Sequence, residues 1–237
     1  MLGKLGESLW ERRHPEWANP SDGRLTPNLH LSPRTAPRYV YDRLSLKLRA
    51  RSQEPPQPWI TEESRTLLDQ LLRPTDRGLE YGSGGTTLFF ADRVQHLYSV
   101  EGFDEWYEPV ARRLAERGVD NVSLHLASAH ELGYESDAHR EAYVGAHPHL
   151  EPGSLDFVFV DGEFRDHCAL RALTLLRAGG LLLLDNAETY LPSTSRSPWR
   201  VEAPATPGWE RFAEQTRDWR RVWTTNGVWD TAIWIKP

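Results

Sequence analysis

The sequence predicts an α/β fold: a three-layer, doubly wound sheet that is mostly parallel and finishes in an antiparallel hairpin. Three observations carry that reading. Strand-like and helix-like patterns alternate five times between residues 78 and 184, which is the pattern of a parallel sheet covered by helices on both faces. The segments 155–160 and 181–184 are almost wholly apolar, as central strands buried on both sides must be. Finally, Asn226-Gly227 lies between the strand-like segments 220–224 and 228–235, and Asn-Gly supplies the positive φ values of a tight hairpin turn.

A chain of 237 residues is long enough for one large domain or one domain with an appendage. The expected division is at residue 58. Residues 1–58 carry a spread of prolines from Pro15 to Pro58 and read as an extended arm with one basic helix at 37–51. Residues 59–237 form the α/β domain. In the arm helix Val40, Tyr41, Leu44 and Leu48 fall on one side, and Arg43, Lys47, Arg49 and Arg51 largely elsewhere. Such a face is expected to pack on the main domain or on a second subunit, with a homodimer through the arm as one outcome. The alternative is a basic helix on a membrane surface.

The net charge of −6 gives no sign of a nucleic-acid partner. Cys168 is the single cysteine, which excludes an internal disulfide and a cysteine zinc site. No apolar run approaches the ~20 residues of a membrane span, and the first ten residues lack the apolar core of a signal peptide. A cytoplasmic protein is the expectation.

The elements follow in order. Thr61 caps a helix that runs through Leu67, Leu68 and Leu71 to about residue 72, with Glu62 and Glu63 in its first turn and Pro74 after its end. Residues 78–81 form a strand, 86–93 a helix, and 96–101 a strand ending on Glu101. Trp106, Val110 and Leu114 recur at four-residue steps, giving a helix over 104–117 that Gly118 ends. Residues 121–127 alternate as a strand. The polar segment 128–153 is expected to hold a helix at 138–144. The strand 155–160 leads to Asp161-Gly162, the helix 164–177 to Gly179-Gly180, and the strand 181–184 to Asp185-Asn186. Residues 189–207 are a Pro/Ser-rich connection long enough for a lid, and 209–219 a last helix.

The stretch Arg77-Gly-Leu-Glu-Tyr-Gly-Ser-Gly-Gly-Thr-Thr87 organises the chemistry. A strand feeding a glycine turn that opens a helix sets backbone N–H groups against a ligand. Gly82, Gly84 and Gly85 allow that ligand to lie on the main chain, beside Ser83 and Thr86. Glu80 at the strand's end repels a pyrophosphate and suits a cationic ligand. Glu101, at the tip of the adjacent strand, is placed to accept both hydroxyls of a ribose.

At this point the chain resembles the class I S-adenosylmethionine-dependent methyltransferases, whose Rossmann-like, seven-stranded sheet closes with a reversed strand. The resemblance covers residues 61–237. Its first motif matches as Glu80-Tyr81-Gly82-Ser83-Gly84-Gly85, its second-strand acid as Glu101, its fourth motif as Asp161, and its turn before the fifth strand as Leu176 to Gly180. It implies S-adenosyl-L-methionine as cofactor, with Glu80 and residues 82–86 on the methionine end and Glu101 on the ribose. In the third motif Ala127-Ser-Ala-His-Glu131 has no Asp, so adenine contacts are expected from the backbone at Ser128 and Ala129, with Phe103 on the ring.

Asp161, Asp185 and Asn186 stand at neighbouring strand tips and are similar to the metal-binding set of the catechol O-methyltransferase-like group. That likeness implies Mg²⁺ or a similar hard cation acidifying a substrate hydroxyl. The other reading is that Asp185 caps a turn and Asp161 orders the substrate loop. Where that group has a lysine after its first metal Asp, this chain has Gly162-Glu-Phe-Arg165. His167 is a candidate general base. The reading that follows is a methyltransferase for a small-molecule acceptor, through a hydroxyl oxygen, with Asp161, Asp185 and His167 on the catalytic side. The rivals are an NAD-dependent oxidoreductase, which requires a third glycine where Thr87 stands, and a non-catalytic Rossmann-like binding module.

Overall fold

The computed structural model describes residues 32–52 and 58–237; the expected arm otherwise lies outside them. Seven strands form one sheet in the order β3-β2-β1-β4-β5-β7-β6. They are β1 (Arg77–Tyr81), β2 (His96–Glu101), β3 (Val122–Leu126), β4 (Leu155–Val160), β5 (Leu176–Asp185), β6 (Arg220–Thr225) and β7 (Asp230–Ile235). All neighbours are parallel except β7, which runs against both β5 and β6. The helices are α1 (Ala36–Ser52), α2 (Glu62–Leu71), α3 (Gly85–Ala91), α4 (Asp104–Glu116), α5 (Ala129–Leu132), α6 (Asp137–Val144), α7 (Arg165–Leu175) and α8 (Pro207–Gln215).

Period-two alternation builds a core on each side of the sheet. Val158, Val160, Leu182, Leu184, Ala232 and Trp234 face one core, packed by α7 and α8. Phe157, Phe159, Leu181, Leu183 and Ile233 face the other, with Leu68, Phe89 and Phe90. Each of these large side chains is worth roughly 1.5–3 kcal/mol on burial. Two-sided burial is why the β4 and β5 sequences carry no polar alternation. Thr61 caps α2 by accepting the Ser64 N–H at 3.4 Å, and its own N–H donates to Thr231 Oγ1 at 3.1 Å. One threonine thus starts the helix and docks it on the hairpin.

Several boundaries differ from the expectation. β5 begins at Leu176 rather than 181; Gly179, at φ +76°, turns the chain within the strand, and its N–H donates to Lys236 O at 2.8 Å. The last helix spans Pro207–Gln215 rather than 209–219, with Thr206 accepting the Trp209 N–H. The second hairpin strand starts at Asp230 rather than 228. The α1 stripe does not pack on the α/β domain. Val40, Tyr41, Leu44 and Leu48 are exposed, and among the described side chains of that helix Tyr39 and Asp42 are buried. The helix sits down on a polar contact, not on its apolar face.

Candidate active site

The C-terminal tips of β1, β2, β4 and β5 meet along one edge of the sheet, and the predicted residues collect there. Glu80 is fully buried on β1. Its carboxylate accepts from Thr86 Oγ1 at 2.5 Å, Thr87 Oγ1 at 2.6 Å and Ser99 Oγ at 2.7 Å. Burial raises its pKa to about 7 against the lowering effect of those hydroxyls. Thr87 occupies the position a dinucleotide loop gives to glycine, and here its hydroxyl also takes the Gly84 N–H at 2.9 Å. Gly82 has φ +96°, and a Cβ there would stand 2.6 Å from the Gly162 nitrogen. The β1 and β4 tips therefore touch backbone to backbone, which only glycine permits.

Glu101 is the link between the glycine loop and β2. Its Oε2 accepts the Ser83 N–H at 2.9 Å and Ser83 Oγ at 3.1 Å, and its Oε1 accepts the N–H groups of Gly102 and Phe103 at 2.8 and 3.0 Å. Burial raises this carboxylate too, to about 7. A carboxylate offers about four acceptor positions, so a ribose diol would reach Glu101 by displacing the Ser83 bonds. Ser128 is buried, caps α5 by accepting the Glu131 N–H, and donates to Asp104 Oδ2 at 2.7 Å. The Ala129 N–H already donates to Gly102 O at 2.7 Å. The ring of Phe103 lies 5.9 Å from that of Tyr134, tilted by 34°, forming an aromatic corner over this end.

The Asp161, Asp185 and Asn186 set is indeed brought together, but around a guanidinium. Arg165, at the start of α7, donates through Nε to Gly162 O at 2.8 Å. Its Nη1 donates to Asp185 O at 2.8 Å and Asn186 Oδ1 at 3.3 Å, and its Nη2 to Asp161 O at 2.5 Å. The same Nη2 pairs with Asp161 Oδ1 at 3.0 Å. All five N–H donors of the fork are used. Asp185 is 3% exposed, and its Oδ1 accepts from Thr231 Oγ1 at 2.7 Å.

Burial raises the Asp161 carboxyl while Arg165 opposes the rise. Burial and the Asp161 charge push Asp185 far above the ordinary carboxylate range. The donor set does not fit Mg²⁺: a hard cation needs ionised oxygens free to ligate, and here the fixed positive charge is already Arg165. No group of three or more His, Cys, Asp or Glu is arranged to hold a metal among the described residues. The expected metal is corrected on that ground.

His167 is half-exposed and pairs through Nδ1 with Asp166 Oδ1 at 2.9 Å. Asp166 in turn accepts from Thr206 Oγ1 at 2.7 Å, which ties that pair to the end of the lid at α8. Trp209 is core, stacked on Tyr190 at 5.1 Å.

Sequence reasoning missed Arg165, His139, Tyr143 and Glu188. His139 and Tyr143 on α6 are fully buried; His139 Nε2 lies 3.2 Å from Glu163 Oε2, without the alignment of a good hydrogen bond, and burial lowers its pKa. Glu188 accepts the Asp230 N–H at 2.9 Å beneath the lid, and burial with the Asp230 charge raises it to about 8. Only Arg165 had a signal: a cation four residues after an acid at a helix start, the spacing of a local ion pair.

The sheet order with an antiparallel β7 inserted between β5 and β6 decides the family of fold. The chain has the fold of the class I S-adenosylmethionine-dependent methyltransferases. No protein-family profile matches it. Over 108 residues, 45% of the chain, it is 33% identical to protein-L-isoaspartate O-methyltransferase 1 of Polaromonas sp. (strain JS666), and the match spans 45% of that protein's length. Among solved structures it is similar to a candidate caffeoyl-CoA O-methyltransferase from Staphylococcus aureus, with a TM-score of 0.55 and 15% identity over 84% of this chain and 100% of that one. A methyltransferase-like protein from Silicibacter pomeroyi DSS-3 gives 0.52 and 22% over 78% and 91%. At these identities the structural likeness establishes the methyltransferase fold itself.

Proposed function

We propose that the chain transfers a methyl group from S-adenosyl-L-methionine to an oxygen of a small-molecule acceptor. The observation that carries the reading is the pair of buried carboxylates flanking the glycine loop, Glu80 and Glu101, both raised to about 7. Groups so poised gain from a nearby cation and from hydroxyl donors, and a sulfonium nucleoside brings both. The cradle fits such a group: Gly82 and Gly102 carry no side chain where a Cβ would strike the Gly162 backbone or Glu163 and His139. The partial identity to a methyltransferase agrees with this reading. The dinucleotide alternative is disfavoured by Thr87 and by β7, which interrupts the strand order of dinucleotide folds.

The cofactor supplies an activated methyl group, and the chain's residues supply placement and proton handling. Glu101 would hold the ribose of the bound nucleoside, and Phe103 with Tyr134 would offer an aromatic surface to its base. Asp161, with part of its side chain open, accepts the acceptor's proton while Arg165 favours its ionised form. Asp185, held up by burial, stays protonated beside it, because two like charges at one site do not ionise together. Alignment of acceptor and methyl carbon supplies the rest of the rate. The test is calorimetric titration with S-adenosylhomocysteine. Wild type is expected to release heat with a micromolar Kd that Glu101→Ala removes, and no heat from wild type would sink the proposal.

A further inference from the structure

Beyond the cofactor edge, two cavities adjoin the lid, and they share Arg196. The smaller, about 140 Å³, lies between α1, the lid and the hairpin turn at Gly227. Among the described residues its charged lining is Arg34, Arg38, Arg196 and Arg200 against the one carboxylate of Asp42. Asp42 is 7% exposed. It accepts from Arg38 Nε at 3.2 Å and stands 3.7 Å from Arg196 Nε. Gly227 packs directly against it, where any Cβ would collide. One carboxylate so placed fixes α1 and the lid to the hairpin and balances one of four guanidiniums. The surplus is positive in a chain whose net charge is −6. Guanidinium forks match the oxygens of phosphate and carboxylate, and the space is several times the ~30 Å³ share of a water molecule.

The larger cavity, about 590 Å³, is lined by Ser193, Thr194, Ser195, Arg221 and Trp223 with Arg196. The Arg221 guanidinium lies 5.1 Å from the centre of the Trp223 ring. This cavity thus offers hydroxyls and an aromatic wall next to the cationic one. It lies on the reacting edge, since Thr225 pairs with Asp230 and the neighbouring Thr231 pairs with Asp185. β6 stands two strands from β5, or about 10 Å away at the usual spacing.

We infer that these cavities are the acceptor groove, and that the acceptor is a small molecule with a phosphate or carboxylate group seated on Arg196 and Arg200, remote from its methyl-accepting oxygen. The inference rests on the methyltransferase reading and names its substrate class. Binding energy from a group remote from the reacting atom is what positions an acceptor for transfer.

The test is thermal melting of the full chain at low ionic strength against inorganic phosphate and, separately, acetate, each with and without saturating S-adenosylhomocysteine. Wild type is expected to show a saturable rise in Tm with one of the two anions. R196Q/R200Q should weaken that response at least tenfold while its affinity for S-adenosylhomocysteine stays within twofold, which also shows that it folds. The single variant Arg34→Gln should lie between. An equal response in wild type and R196Q/R200Q, or none in either, overturns the site. A single-stranded RNA oligonucleotide that binds wild type more tightly than phosphate does, and loses binding in the variant, overturns the small-molecule assignment. A phosphate response without any binding of S-adenosylhomocysteine overturns the acceptor role through the methyltransferase reading and leaves the anion cavity standing.

Discussion

At the tips of β1 and β2, buried carboxylates are satisfied by neutral donors: Glu80 by three hydroxyls and Glu101 by three N–H groups and one hydroxyl. At the tips of β4 and β5 the carboxylates and carbonyls gather on one guanidinium, that of Arg165. The first arrangement sets two carboxyls, each raised to about 7 by burial, beside the cleft, where a bound cation would favour their ionised form. The second is neutralised internally, and its free positive charge appears farther out, on the arginines of α1 and the lid. One sheet edge thus holds two regions of opposite electrostatic preference, suited to a cationic donor and an anionic acceptor.

The sharpest way to break this contrast is on the cofactor half. Glu101→Ala is expected to weaken binding of S-adenosylhomocysteine at least 100-fold by calorimetry, since two hydrogen bonds to a charged group are worth roughly 1.5–3 kcal/mol each. Comparable binding by the variant would show that Glu101 only braces the loop. On the other half, Asp161→Asn is expected to reduce transfer about 100-fold, the low end for loss of a general base, with cofactor affinity within threefold. Unchanged turnover would favour a binding role for this domain.

Arg165→Met tests the brace itself. Removing one partner of a buried charged network costs about 3–5 kcal/mol, so Tm should drop by roughly 10 °C in a chain of this size. A drop under 2 °C would mean that the tips hold without the guanidinium. The same geometry predicts that EDTA leaves transfer unaltered, because the cationic position is occupied by Arg165; dependence of activity on added Mg²⁺ would show that a metal binds these tips after all.

Beneath the lid, the pKa of Glu188 is raised in the fold to about 8 from 4.5. The folded chain therefore holds a proton there that the unfolded chain has released, so its contribution is greatest below pH 4.5 and declines as pH rises toward 8. Glu80 and Glu101 act in the same direction up to about 7. Glu188→Gln is expected to reduce the fall in Tm between pH 5 and pH 8.5 by a few degrees, the smallest of these effects, read in matched thermal melts. An identical slope in both proteins would place the titration elsewhere.

What the sequence determined by itself was local and periodic. The apolar runs of β4 and β5, the Thr61 cap, the Gly82 turn and the Asn226-Gly227 hairpin each follow from backbone chemistry within a few residues, and together they imply the sheet and its reversed end. The positions of Glu80, Glu101, Asp161 and Asp185 at strand tips were legible for the same reason, because a strand's end is a sequence feature. Whom those side chains bond was decided only by the tertiary structure.

Arg165 reaches the backbone of Asp185 and the side chain of Asn186 across about twenty residues, and nothing in its local pattern distinguished that from a surface pair with Asp161. Asp42 meets Gly227 and Arg196 from the far end of the chain, while the apolar stripe beside it on α1 stays exposed. Periodicity reports which face of an element is greasy, whereas contacts between distant charged groups depend on where the folded backbone brings them. The metal expectation failed at that step: the ligand types were right, but a cation supplied by the chain itself had taken the position.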